Sequence, residues 1–221
     1  MAPSYSKILQ SNAAGLARNG LALDCNNGNT NNMENEKSGG KKRDTTGRRG
    51  PLKLIAASQN MRGFTPESDR EEIKMQMVRE GLHLVCGQET WVAEDQSKER
   101  WDSGELFLNC GGMAKRKHEG VCFFMSSETA KMFERGGRRL VKYGPRLATI
   151  RLQLRGGAEV YVINAHAPDS GQSKEKRNAF QRQLERAMQA GKAKDTVVTM
   201  GDFNAAMGVA ADEQDEVMGK Y

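Results

Sequence analysis

No stretch of these 221 residues approaches the roughly 18 uncharged apolar residues that a membrane span needs. The polar start "MAPSYSKILQSN" also lacks the apolar core of a signal peptide. The expectation is an intracellular protein, nuclear or cytoplasmic and not secreted, with no membrane partner. The four cysteines, Cys25, Cys86, Cys110 and Cys122, show neither CxxC spacing nor a histidine at zinc-ligand spacing, and three of them lie inside apolar runs. Those three are expected as small buried hydrophobes in a reducing compartment rather than as disulfides or zinc ligands. The chain has no P-loop, no nucleophile elbow and no papain-type cysteine context, so nothing points to covalent catalysis. No internal repeat is visible.

What is present fits one sizeable domain with a tail. Apolar residues make up 37% and charged residues 28%, a soluble, globular balance. The net charge is +6 with a pI of about 9.2, and its distribution matters more than its total. Residues 1–50 carry eight Lys/Arg against four Asp/Glu, and residues 115–146 carry nine against three, so the rest of the chain is acidic on balance. A basic stretch on an otherwise acidic domain suits a phosphate-backbone surface beside a carboxylate metal site, and equally a solvated basic face.

Residues 1–50 read as a tail. "CNNGNTNNMENEKSGGKKRDTTGRRG" is dense in Asn, Gly and charge and has almost nothing to bury. Disorder follows, because ordering a backbone costs roughly 1–2 kcal/mol per residue and needs burial to offset it. Residues 51–221 form the expected domain. "LKLIAAS", "SDREEIKMQMVREG" and "LHLVCGQ" spell strand, helix and strand, with Ile73, Met77 and Val78 as the helix's apolar positions. That spacing allows a βαβ unit with parallel strands. Strand-like segments follow at 105–112, 120–127, 138–144, 146–154 and 159–168, split by Gly-rich turns, with "RGG" at 155–157 as a hairpin turn. An amphipathic helix at 173–191 carries Phe180, Leu184 and Met188 on one stripe, and a buried strand closes at 195–204.

Polar residues stand where these apolar strands run out: Asn60, Gln88 with Glu89, Asn164 with His166, and Asp202 with Asn204. If those ends converge, the site holds carboxylates, amides and a histidine, a set suited to a hard metal ion and phosphate oxygens. Each member also has a plain reading. Glu89 fits a surface acid, His166 a hydrogen-bonded packing residue, and Asp202 with Asn204 an Asx-type turn. In the shared-site reading, Glu89 helped by Asn60 holds Mg²⁺ (or Mn²⁺). Asp202 orients or activates the attacking water, and Asn204 and His166 donate to nonbridging oxygens.

The ordered set "LIAASQNMRGF", "LVCGQETW", "GVCFFM", "RLATIRLQL", "VYVINAHAPDSG" and "VVTMGDFNAAMG" resembles the endonuclease/exonuclease/phosphatase superfamily, which includes deoxyribonuclease I and the apurinic/apyrimidinic endonucleases. "GDFNAAMG" followed by "DEVMGKY" is similar to the endonuclease domains of non-LTR retrotransposons and to the related craniofacial development protein 2-like proteins. The resemblance implies a two-sheet α/β sandwich of the deoxyribonuclease I-like type and Mg²⁺-dependent hydrolysis of phosphodiesters or phosphomonoesters. It implies Asn60 and Glu89 as metal-site residues, Asp202 and Asn204 as the catalytic pair, and His166 at the position that contacts the scissile phosphate. It also implies Arg146 as a residue that supports the site, and Gln88 is expected to support it too. DNA is the expected partner, met through a backbone-contact surface on 115–146 that includes Lys115, Arg116, Lys117, Arg138 and Arg139.

The chain departs from the family pattern in two ways. Gln59 stands where the family has a tryptophan or similar residue before its first asparagine. No Ser-Asp-His segment, which supplies the family's further aspartate and its general-base histidine, occurs in the sequence. The expectation is therefore a fold lacking its closing strands and a DNA endonuclease domain with little activity as this chain. His83 and His118 are set aside as replacements, one for lying in an apolar strand and the other in the basic loop "KRKHEG". The alternatives are a non-catalytic nucleic-acid-binding or interaction protein derived from the fold, and a phosphomonoesterase.

Overall fold

Two five-stranded sheets face one another, and each apolar run of the sequence supplies one strand. The computed structural model describes residues 7–10, 23–24, 53–64, 68–92, 98–111 and 118–205. The first sheet has the order β4 (Ala56–Asn60), β5 (Leu84–Gln88), β8 (Val121–Met125), β7 (Leu106–Cys110), β6 (Lys98–Arg100). The second has the order β1 (Lys7–Gln10), β12 (Thr196–Asp202), β11 (Glu159–His166), β10 (Leu147–Gln153), β9 (Leu140–Gly144). A short ladder joins β2 (Leu23–Asp24) to β3 (Lys53–Leu54). Apart from β1 and β2, the segment expected as a tail lies outside the described residues, as does Cys25.

Side chains alternate between an inter-sheet core and two outer faces, which accounts for runs that are apolar without a break. Leu84, Cys86, Val121 and Phe123 of one sheet meet Ile150, Leu152, Val160 and Val162 of the other. Val85, Phe107 and Phe124 point outward to Ile73 and Met77 of α1 (Ser68–Glu80). Tyr161, Ile163 and Ala165 point outward to Phe180, Leu184 and Ala187 of α3 (Lys174–Gln189). The architecture is an α/β sandwich with a helix on each outer face.

The βαβ reading holds: β4 and β5 are parallel and joined through α1. The 155–157 turn joins antiparallel β10 and β11, with Gly156 and Gly157 at φ +89° and +88°. Cys86, Cys110 and Cys122 are free and buried, and burial pushes the Cys86 thiol up.

Three expectations need correction. Val78 is 76% exposed although its neighbour Met77 is buried. One residue turns a helix by about 100°, which here carries Val78 past the edge of the buried stripe formed by Ile73 and Met77. Met188 is likewise exposed, and Ala187 takes the buried place. The segment after β8 is α2 (Ser127–Arg135), capped by the Ser126 hydroxyl accepting from Thr129 N. Its Ala130, Met132 and Phe133 join the inter-sheet core. No helix among the described residues is long and apolar enough to cross a membrane.

Candidate active site

The two parallel pairs, β4 with β5 and β11 with β12, run out at the same end of the sandwich. Backbone register places Asn60 beside Gln88 and His166 beside Asp202. A buried amide pair ties the two sheets just beneath. Gln88 Nε2 donates to Asn164 Oδ1 at 2.8 Å, and Asn164 Nδ2 donates to the Gly87 and Cys122 carbonyls at 2.9 Å each. Both residues are fully buried, so Asn164 and Gln88 join the sheets below the site and do not face solvent.

Glu89 is the hub above them. Its Oε1 accepts from Asn60 Nδ2 at 2.9 Å and lies 3.6 Å from His166 Nε2, while its Oε2 lies 3.4 Å from His118 Nδ1. The residue is held at φ +55°, a conformation that costs about 1–3 kcal/mol at a residue other than glycine. Burial works to raise the Glu89 carboxyl. Hydrogen bonds from Asn60 and His118 and the nearby imidazoles outweigh it and leave the group below its ordinary value of 4.5. Glu89 is an anion at neutral pH.

His166 is held in the opposite sense. It is 3% exposed, and burial followed by the Arg146 charge pushes its pKa down to about 4, against the pull of the Glu89 and Asp202 carboxylates. Arg146 Nη1 stands 3.0 Å from His166 Nδ1. The same Nη1 lies 3.4 Å from Nε2; guanidinium can only donate, so the nearer nitrogen, Nδ1, takes the accepting role and the neutral ring keeps its proton on Nε2, which faces Glu89. Behind Arg146, its Nε lies 3.8 Å from Oε1 of the buried Glu119. Glu119, Arg146, His166 and Glu89 thus form a chain of alternating charge and dipole across the sheet ends.

Asp202 Oδ1 accepts from Asn204 N at 2.9 Å, and Asn204 Nδ2 donates to Ala167 O at 2.7 Å. The Asx-turn reading of this pair is therefore correct as geometry. It also fixes the carboxylate beside His166, with one amide proton of Asn204 still available. Asn204 sits at φ +45°.

The expected residues separate into two groups. Asn60, Glu89, His166, Asp202, Asn204, Gln88 and Arg146 all stand at this one end. Arg138 and Arg139 do not. They precede β9, which runs from Leu140 toward Gly144, the residue paired with Leu147 beside Arg146. A strand length separates them from the site, so the stretch 115–146 is not one continuous face. Lys115, Arg116 and Lys117 lie outside the described residues.

His118, Glu119, Thr90 and Trp91 were missed by the sequence reading. His118, set aside there, stands on Glu89, whereas His83 accepts from Ile55 N through Nδ1 at the far end of β5. No signal in the sequence placed them there; strand direction, which only folding sets, did. β8 is antiparallel to β5, so residues before β8 meet residues after β5.

The family model described as "Endonuclease/Exonuclease/phosphatase family" matches residues 57–209, well over half of the chain. Among solved structures, an AP endonuclease from Archaeoglobus fulgidus is similar at 19% identity and a TM-score of 0.45, covering 69% of this chain and 58% of that one. The catalytic domain of Xenopus laevis APE2 is similar at 16% identity and a TM-score of 0.44, covering 73% and 63%. The chain thus spans less than two thirds of the length of either. No curated protein matches.

Proposed function

We propose, from the premise that this chain belongs to the endonuclease/exonuclease/phosphatase family, that its site is built for metal-assisted hydrolysis of a DNA phosphodiester. We propose further that the 221-residue chain turns over slowly by itself. The observation that carries the reading is the pairing of Glu89, an anion held by Asn60, with a neutral His166 across the sheet ends. A hydrolytic site for an anionic ester needs such a division between groups that hold a cation and groups that donate to oxygen.

The residues fit a hard divalent cation of the Mg²⁺ or Mn²⁺ kind. Among the described residues there is no cluster of three His, Cys, Asp or Glu side chains that could hold a metal. Mg²⁺ needs none, because it keeps several waters and binds through one or two carboxylates. Glu89 would hold the ion, with the Asn60 amide fixing the carboxylate. When bound, the ion supplies positive charge against the anionic transition state.

The remaining roles belong to the chain. Asp202, steadied by Asn204 N, orients the attacking water through its carboxylate. The free amide proton of Asn204 and the Nε2 proton of His166 donate to nonbridging oxygens. His166 is a poor base at neutral pH, since its pKa is pushed down to about 4 and its Nδ1 is taken up by Arg146. The chain's only other histidines are His118, exposed on Glu89, and His83, at the far end. Slow turnover follows because none of the chain's three histidines is a well-placed neutral base.

Purified protein is tested for Mg²⁺-dependent nicking of supercoiled plasmid beside Asp202→Ala and Glu89→Ala. Weak nicking, lost in both variants, is expected. Robust nicking by the parent overturns the slow-turnover part. Salt-sensitive DNA binding that survives both substitutions, with no metal-dependent nicking, favours a non-catalytic nucleic-acid-binding protein. That second reading draws support from the same suppressed basicity of His166.

A further inference from the structure

Two aromatic side chains stand on the rim of this site and contribute little to any core. Trp91 is 40% exposed, the one aromatic among the exposed large hydrophobic side chains of the described residues. The His118 side chain is 63% exposed, with its ring 5.0 Å from the indole at an interplanar angle of 80°. The backbone holds this corner in place. Trp91 N donates to Glu119 O at 3.0 Å, Gly63 N to Glu89 O at 2.8 Å, and Phe64 N to Thr90 O at 2.9 Å. Gly63 backs one edge of the indole so closely that a Cβ there would lie 2.7 Å from Trp91 Cε3. Trp91 and His118 sit at φ +54° and +70°, close to Glu89 at +55°. Three residues other than glycine in left-handed conformations around one carboxylate are maintained against a local backbone cost.

We propose that Trp91 and His118 form an aromatic corner that stacks on an unpaired nucleobase of a strand whose phosphate lies at Glu89. This rests on the phosphodiester reading for the position of the strand and needs no turnover. A ring face accepts any base, but only a base out of the duplex stack offers its own face in return. The charge is also of the right sign, since Lys115, Arg116 and Lys117 directly precede His118 in the sequence. His118 reaches from Glu89 to the indole, so a base seated there would adjoin the reacting phosphate. The other exposed apolar side chains, Met75, Val78, Val141 and Met188, lie on α1, β9 and α3 and share neither feature.

The chain has two tryptophans, and Trp101 is partly buried beside Phe124. Trp101→Phe therefore leaves Trp91 as the sole indole reporter. In EDTA, a single-stranded oligothymidylate is expected to quench the fluorescence of this variant. A strand of the same length made of abasic sugar-phosphate is expected to bind without quenching, and a fully paired duplex to quench less. Trp91→Ala should weaken single-strand binding roughly tenfold, with Trp91→Phe close to the parent. Equal quenching by the abasic strand or the duplex, or unchanged affinity in Trp91→Ala while DNA still binds, overturns this inference and leaves the nuclease reading standing. Failure of the parent to bind any strand also overturns this inference, while the nuclease reading is decided separately by Mg²⁺-dependent plasmid nicking.

Discussion

Arg146 donates from Nη1 to His166 Nδ1 at 3.0 Å, and the Arg146 carbonyl accepts from His166 N at 2.8 Å. One residue at the start of β10 therefore fixes both the position and the tautomer of a histidine at the end of β11. Burial, and after it the Arg146 cation beside the imidazole, oppose a positive charge on the ring, which is why it stays neutral.

That suppressed basicity has a consequence for stability. The folded pKa of His166 is about 4 against an ordinary 6.5, so the unfolded chain takes up a proton first as the pH falls. The contribution is fully present above pH 6.5 and is lost progressively down to about 4. At about 1.4 kcal/mol per unit it amounts to about 3 kcal/mol. Urea unfolding of metal-free protein at pH 7.5 and 4.5 checks this: the parent should lose more stability than His166→Gln. Equal losses would show that another group carries the acid sensitivity.

Asn164 makes the contact that aligns the two sheets below the site. Asn164→Leu removes its bonds to Gln88 and to the carbonyls of Gly87 and Cys122. Buried polar groups left without partners cost about 1–3 kcal/mol each, so a loss of about 3 kcal/mol in denaturant midpoint analysis is expected. A change under 1 kcal/mol would mean that water or repacking replaces the amide.

Gly201 is required by a close approach of backbone. At φ +144°, a Cβ on it would lie 1.8 Å from the Ala165 carbonyl oxygen of the adjacent strand. Gly201→Ala should force β12 away from β11 immediately before Asp202. The expected cost is at least about 4 kcal/mol, in the range reserved for severe backbone or core damage. Circular dichroism melting would refute this if the variant kept the parent's Tm.

At the opposite end of the second sheet, Arg151 pairs with the buried Asp195 and stacks on Tyr161, 4.8 Å from the ring centroid. Asp195→Ala leaves the guanidinium without its main partner and should cost about 3–5 kcal/mol. Arg151→Met combined with Asp195→Leu should recover much of that loss, since neither variant side chain carries a charge. A double variant no more stable than Asp195→Ala would argue that the pair is needed for packing shape.

The amino-acid sequence by itself determined the strands from β3 onward, β6 excepted, because apolar runs the length of a strand can hide only in a sheet covered on both faces; β1 and β2 lie in the segment expected as a tail. It also determined α1, α3, the 155–157 hairpin and the polar residues waiting at strand ends. It revealed little of α2, where nine residues carry too short a pattern, or of β6, whose Lys98–Arg100 is wholly polar. The period-2 signal of a strand reads the same in both directions. The sequence therefore could not say that β8 and β10 run against their neighbours, or that His118, Glu119 and Arg146 meet Glu89 and His166. Only the tertiary structure decided which ends converge. It also decided the charge of each group there, since an ionised Glu89 and a neutral His166 depend on burial and on the partners that folding brings within hydrogen-bonding distance.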